Sequence, residues 1–186
     1  MLNTLTFESI SFDNAAQLDE FFSYLRGQIK ENGTPEAGYF QPISRKSSNI
    51  SIEREMGFRN ALKIEVAQPG WRRLWVARSS NGRIVGHIDL RAHADQHTSH
   101  RCLLGIGVHS ANRRLGIGLY LLNNATQWAK SIAGLEWIDL QVLSVNVAAK
   151  NLYQQFGFVT VGEISEMFKI DEQYFSYTYM TFKLGT

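Results

Sequence analysis

Cysteine, proline and long apolar runs are all scarce in this chain, and each scarcity rules something out. The one cysteine, Cys102, has no partner for an intrachain disulfide, which suits a reducing compartment and makes the cytoplasm the expected location. No apolar run approaches the ~20 residues needed to cross a bilayer. The start, Met1-Leu2-Asn3-Thr4, lacks the basic segment and apolar core of a secretory signal. The formal net charge is only +2, with no clustered basic face, so neither nucleic acid nor membrane is an expected partner. The excess gathers at Arg72-Arg73 and Arg113-Arg114, which suits a compact anion better than a long polyanion. At 44% hydrophobic and 19% charged residues, the chain reads as one globular domain over 1–186, long enough for a real core.

Periodicity divides the chain into alternating elements. Leu2–Ile10 alternates as a first strand. Asp13 or Asn14 can cap a helix bearing Leu18, Phe21, Phe22, Leu25 and Ile29 on one face, stopped at Asn32-Gly33. Residues 33–46, which hold Pro35 and Pro42, read as a loop. A helix fits somewhere in 47–66, although Ile50, Ile52, Ile64 and Val66 also suit strands. Strands follow at Leu74–Arg78 and Ile84–Arg91 around the hairpin signal Ser80-Asn81-Gly82, then at Arg101–His109. The pattern then predicts a helix to about Ile132, a strand Trp137–Val142, a helix Val147–Phe156, a strand Phe158–Ile164 and a last strand over 173–184.

Arg113-Arg114-Leu115-Gly116-Ile117-Gly118 stands where a buried strand turns into a helix. Glycines there let backbone N–H groups approach an anion, and the helix dipole favours negative charge. A P-loop requires Lys-Ser/Thr after the last glycine, and Leu119-Tyr120 follows instead. A dinucleotide turn belongs in a first strand–helix unit, whereas this one lies in the second half of the chain. Packing alone is the bland alternative for the two glycines. The second segment runs from Leu140 to Phe158, with Asn146 as a natural cap and Ala149, Leu152, Tyr153 and Phe156 on one helical face. Each of these alone reads as a cap or a core residue.

Together the two segments resemble the GNAT superfamily of acetyl-CoA-dependent N-acetyltransferases. The loop pattern Arg/Gln-x-x-Gly-x-Gly/Ala is matched by Arg113, Gly116 and Gly118, and Asn-x-x-Ala-x-x-Leu-Tyr-x-x-x-Gly-Phe by Asn146, Ala149, Leu152, Tyr153, Gly157 and Phe158. The resemblance implies an α/β (α+β) fold: a mixed, mostly antiparallel sheet flanked by helices, with strands 4 and 5 splayed around the cofactor. It further implies that acetyl-CoA is the co-substrate, its pantetheine lying along Ile106 and Val108 and its pyrophosphate on the loop Arg113, Arg114, Leu115, Gly116, Ile117, Gly118 and Leu119. Asn146 is similar to the residue that hydrogen-bonds cofactor or substrate, and Tyr153 to the general acid for the leaving thiolate. The implied reaction is direct acetyl transfer to a primary amine of a small molecule. The alternatives are a ribosomal-protein or peptide Nα-acetyltransferase and a non-catalytic acyl-CoA sensor. The resemblance also allows a homodimer.

The chain departs from the family pattern in three places. Ser110 stands where proline is frequent, Leu103 where a basic carboxylate is frequent, and Ser176-Tyr177 where relatives carry an acidic pair. His87, Asp89, Glu65 and a water relay are the candidates for removing the amine proton, with water ranked first. No metal is expected: His93, His97 and His100 read as a solvated turn. Cys102, on a strand, reads as inert packing. Tyr39 and Phe40 lie in the region that resembles the family's acceptor lid.

Overall fold

Strand periodicity through the middle of the chain becomes a seven-stranded sheet in the computed structural model, which describes residues 5–47, 49–132 and 134–185. In chain order the elements are β1 (Thr6–Ser9), α1 (Ala15–Lys30), α2 (Ile52–Ala61), β2 (Arg72–Arg78), β3 (Ile84–Arg91), β4 (Arg101–Val108), α3 (Ile117–Lys130), β5 (Trp137–Leu143), α4 (Val147–Phe156), β6 (Val159–Ile170) and β7 (Gln173–Lys183). The expected first strand began at Leu2; residues 1–4 lie outside the described residues. The spatial order is β1-β2-β3-β4-β5-β7-β6. Every neighbouring pair is antiparallel except β4–β5, which is parallel.

Alternation along β2 shows how the two faces are covered. Trp75 and Ala77 join the core beneath α3, with Ile88, Leu90, Cys102, Leu121, Leu122 and Ala125. Leu74 and Val76 join the opposite core beneath α1, with Leu18, Phe21 and Phe22. Asn14 caps α1, its side chain accepting a hydrogen bond from the Gln17 amide at 3.1 Å. Ser51 caps α2 by accepting from the Arg54 amide at 3.2 Å.

β2 and β6 differ in extent from their sequence expectations, while α2 forms within the expected 47–66 span on a weak pattern, each for a physical reason. The apolar residues of α2 do not form a buried stripe, since Ile52 and Met56 face outward at 74% and 58% exposure, so helical periodicity is weak there. β2 starts two residues early because Arg72 and Arg73 pair with Arg91 and Leu90, and charged residues leave no apolar signal. β6 runs on to Ile170. Register shifts between Thr160/Gly162 and Ile164/Phe168 break its alternation, and Glu166 takes a positive φ of 52°.

The β4–β5 pair is held at one end only. Arg101, Cys102 and Leu103 pair with Trp137, Ile138 and Asp139, after which the strands part. At the last pair Arg101 donates from Nε and Nη2 to the two oxygens of Asp139, at 2.8 and 2.6 Å. Thr181 of β7 donates to Asp139 Oδ1 at 2.6 Å, and His93 Nε2 lies 2.9 Å from Oδ2. Burial pushes the Asp139 carboxyl up, but the hydrogen bonds from Arg101 and Thr181 outweigh it and hold the group below the usual range. Asp139→Asn is expected to lower stability by about 2 kcal/mol at neutral pH in urea unfolding, since it leaves Arg101 half-buried without a counter-charge. Because the folded-state carboxyl is the stronger acid, that difference should be complete above about pH 5 and shrink as pH falls through the folded value.

Candidate active site

The parting of β4 from β5 leaves one edge of β4 unpaired. His109 N–H donates to Val85 O at 2.9 Å, and antiparallel alternation therefore turns the amides and carbonyls of Leu103, Gly105 and Gly107 toward β3. Those of Leu104, Ile106 and Val108 turn toward β5; the Leu104 amide still belongs to the last rung, Leu103↔Asp139, and at Ile106 and Val108 the ladder has ended. A groove with strand-pairing capacity results, open to an extended ligand.

At the end of β4 the chain makes a short turn over Ser110–Asn112 and enters α3 through two left-handed residues, Arg114 at φ 60° and Gly116 at φ 79°. The Arg113 amide donates to Ser110 O at 3.2 Å, but the amides of Arg114 to Leu119 have no backbone acceptor among the described residues. Successive free N–H groups at a helix start form an anion cradle. Leu115 and Leu119 are exposed and Ile117 is buried. Gly118 also serves packing, since a Cβ there would come 2.7 Å from Leu152 Cδ2 on α4. The Arg113 side chain turns back toward the strand, with Nε 3.4 Å from Val108 O and its guanidinium over the Phe40 ring.

α4 starts beside the same groove. Asn146 caps it, accepting from the Ala149 amide at 3.2 Å. Tyr153 is buried in the core that also takes in Leu104, Ile106 and Val108, its ring 5.8 Å from Phe158. Its hydroxyl has no hydrogen-bond partner among the described residues. Burial, with a smaller contribution from Tyr177, raises its pKa well above the ordinary value.

The other face of β4 carries glycine where a side chain would point into solvent or substrate. A Cβ on Gly105 would collide with Asp89 Oδ1, and one on Gly107 would lie 2.5 Å from His87 Cε1. These are cross-strand partners, Asp89↔Gly105 and His87↔Gly107, so the two β3 side chains lean across β4 through the space the glycines leave. They line a cavity of about 500 Å³ that also takes in Phe21 and Gln28 of α1, Arg54 and Phe58 of α2, Arg72, Arg91, and Phe40 and Gln41 of the connecting loop. Asp89 Oδ2 lies 3.3 Å from Arg72 Nε and 3.1 Å from Arg91 Nη1. The His87 ring touches the cavity yet is deeply enclosed, between Phe21 and Tyr24. Burial pushes its pKa down to about 4, only partly opposed by Asp89. Glu65 is exposed and lies off the cavity lining.

Two residues organise the loop in a way the local sequence does not show, where Asn32 reads only as part of a helix stop and Asp171 only as part of a turn. Asn32 is wholly buried: its Oδ1 accepts from the amides of Phe40 and Gln41, both at 2.9 Å, and its Nδ2 donates to Gln41 O and Ile43 O at 3.1 and 2.8 Å. Asp171, at the tip of the β6–β7 hairpin, accepts from Tyr39 Oη at 2.6 Å, Ser44 Oγ at 2.5 Å and the Arg45 amide at 2.9 Å. Together they fix the loop that walls the cavity. Their partners are distant in sequence, so only the doubled polar chemistry of Asn and the turn-forming Asp171-Glu172 pair could have hinted at them.

Residues 44–158 match the model of the acetyltransferase (GNAT) family. The chain belongs to that family. A stretch of 82 residues is 30% identical to the catalytic subunit NAA10 of the N-terminal acetyltransferase A complex of Arabidopsis thaliana, covering 44% of this chain and 43% of that relative; the match thus spans under half the length of that curated relative. Among solved structures, a GNAT-family acetyltransferase from Streptococcus pneumoniae is similar at TM-score 0.79 and 22% identity, covering 96% of this chain and 99% of its own. The spermidine N-acetyltransferase of Vibrio cholerae, solved with CoA and spermine, is similar at TM-score 0.73 and 19% identity, covering 98% and 96%.

Acetyl-CoA, the co-substrate of a GNAT chain, fits what is present here. The free β4 edge at Ile106 and Val108 suits an amide-bearing pantetheine, and the free amides of Arg114 to Leu119 suit a pyrophosphate. Among the described residues no group of three or more His, Cys, Asp or Glu is placed to hold a metal ion, and His93 is engaged with Asp139.

Two measurements follow from the cavity. His87 titrates near 6.5 when unfolded but about 4 when folded, so the unfolded chain binds the proton first. Stability should therefore fall as pH drops from 6.5 towards 4, by at most about 3 kcal/mol and by less where cavity water reaches the ring; urea unfolding of His87→Asn should lack this component. Gly105→Ala should push Asp89 aside, lowering kcat/KM for the acceptor about tenfold or more while acetyl-CoA affinity by calorimetry stays within about twofold.

Proposed function

We propose that this protein transfers the acetyl group of acetyl-CoA to the primary amine of a small molecule, by direct attack within a ternary complex. The observation that carries this reading is the position of the cavity: it abuts Gly105, Ile106 and Gly107 on one face of β4, the strand whose other edge receives the donor. Its volume, about 500 Å³, is in the range of small-molecule sites. Bound acetyl-CoA supplies an acyl thioester. The chain's part is to hold that carbonyl against a β4 amide that can stabilise developing negative charge, and to present the amine from the cavity side.

Tyr153 is the proposed general acid. Burial keeps its phenol protonated at neutral pH, so it has a proton to give to a leaving thiolate. Asn146 shapes the start of α4 and orients that helix toward the groove. Cavity water removes the amine proton: Asp89 is committed to two guanidinium groups, and His87 is a weak base. Cys102 is fully buried with its thiol pushed up to about 12, which argues against an acyl-enzyme.

The NAA10 stretch favours a second reading, acetylation of a peptide α-amine. Against it stands the latch of Asp171 on Tyr39, Ser44 and Arg45, which ties the β6–β7 hairpin to the loop that walls the cavity. The small-molecule acetylation named for the Vibrio cholerae neighbour supports the first reading by likeness of fold.

A thiol-release assay over small amines and short peptides separates the two readings. Release with small amines is expected; release with peptides alone would establish the second reading. Tight acetyl-CoA binding with no acceptor-dependent release would mark a sensor. Tyr153→Phe should lower kcat about a hundredfold with acetyl-CoA affinity nearly unchanged, and unaltered kcat would remove Tyr153 from the reaction.

A further inference from the structure

The cavity is electrostatically one-sided. Arg54 of α2, Arg72 of β2 and Arg91 of β3 all line it, and Asp89 is the only carboxylate among its lining residues. Arg72 and Arg91 are directly opposed across β2 and β3, an arrangement of like charges that destabilises a sheet unless something sits between them. Asp89 does this in part, sharing a single oxygen, Oδ2, between both guanidinium groups. Arg54 has no ion-pair partner among the described residues. The acidic residues flanking it do not make up the deficit: Glu55 pairs with Arg26 and Arg59, and Glu53 is exposed off the cavity.

Arg72 is the most constrained of the three. Its guanidinium lies over the Phe58 ring at 4.0 Å, and its buried Nε makes no hydrogen bond among the described residues. Burial weakens its hold on its proton, Asp89 restores part of it, and the charges of Arg91 and Arg54 lower it further. The lining therefore carries three cations against one anion. Aromatic walls from Phe21, Phe22, Phe40 and Phe58 keep the local dielectric low and the field strong.

We propose that the acetyl acceptor is an acidic amine: a small molecule bearing an oxyanion group, carboxylate or phosphonate, held among Arg54, Arg72 and Arg91 while its amine points to Gly105 and Ile106 of β4. The inference rests on the acetyl-transfer reading above and narrows its substrate class. Guanidinium forks match the geometry of such oxyanions and remain charged at any working pH. Arg54 and Arg72 are specificity-determining residues, and Asp89 is a positioning residue that fixes Arg72 and Arg91. Polyamines and aminoglycosides, which bring several positive charges, are disfavoured by the same field.

The test uses matched pairs in the thiol-release assay: α-amino acids against their carboxamides, aminoalkylphosphonates against the parent alkylamines, and spermidine as the polycation. Within a pair the acid should show kcat/KM at least about tenfold above its neutral partner, with spermidine poorest; the two series distinguish a carboxylate from a phosphonate site. Arg54→Gln, on an exposed helix where folding is safe, should lose about five- to tenfold for the acids, mostly in KM. Arg54→Glu should reverse the preference. In thermal shift at saturating CoA, the preferred acid should raise Tm and its neutral partner should not. Equal use of acids, neutral amines and spermidine, or a preference unmoved by Arg54→Glu, overturns the inference but leaves acetyl transfer standing. Acetyl-CoA binding without release by any amine overturns both.

Discussion

The clamp of Arg101 and Thr181 on Asp139 is the constraint on which the open edge of β4 depends. It sits at the last paired residues of the only parallel strand pair among the described residues, Leu103 and Asp139. Beyond it β5 remains paired along its whole length to β7, from Trp137↔Lys183 to Leu143↔Tyr177, so β5 follows β7 and leaves β4. Without a fixed closed end the two strands would have no defined angle between them. With it, the free edge of β4 at Ile106 and Val108 is held open as a groove.

Once that edge is open, the period of two along β4 assigns its remaining groups. Leu104, Ile106 and Val108 turn their side chains to the α3 core, and Ile106 and Val108 turn free backbone groups to the groove. Gly105 and Gly107 turn to the opposite face, and the missing Cβ atoms admit Asp89 and His87 from β3. The polar side chains beside this part of β4 therefore come from β3, and two glycines make the room.

The free amides and open strand edge of the proposed donor half are legible in the sequence because they are made of backbone. The free amides at the α3 start require left-handed backbone at Arg114 and Gly116, which only the glycine announces; Gly118 makes room for Leu152, and Asn146 caps the next helix. Short turns account for the neighbours β2–β3 and β6–β7, whereas β4–β5 and β5–β7 are brought together across helices. The sequence pattern stops short of the end of β6 because two bulges erase its alternation, and it is ambiguous over α2 because Ile52 and Met56 face outward. The acceptor half is made of side chains that converge from α1, α2, β2, β3 and a loop. No spacing rule links Asn32 to Ile43 or Asp171 to Tyr39, since those contacts exist only after the chain has folded.

The arginine pairs show the same division within single dipeptides. In sequence, Arg72-Arg73 and Arg113-Arg114 look like two equivalent basic spots for one compact anion. A strand sends neighbours to opposite faces, and Arg73 leaves the cavity to bind the carbonyls of Leu62 and Ile64 at 3.3 and 2.9 Å, closing the end of α2. Arg72 goes the other way, over Phe58 and into the cavity. At the second pair Arg113 packs against Phe40 and reaches toward Val108 O, joining the donor loop to the acceptor wall, while Arg114 takes the left-handed conformation that exposes the amides behind it. Charge in a sequence therefore counts cations but does not place them. Backbone conformation decides which of two adjacent arginines faces the cavity and which one only holds the fold together.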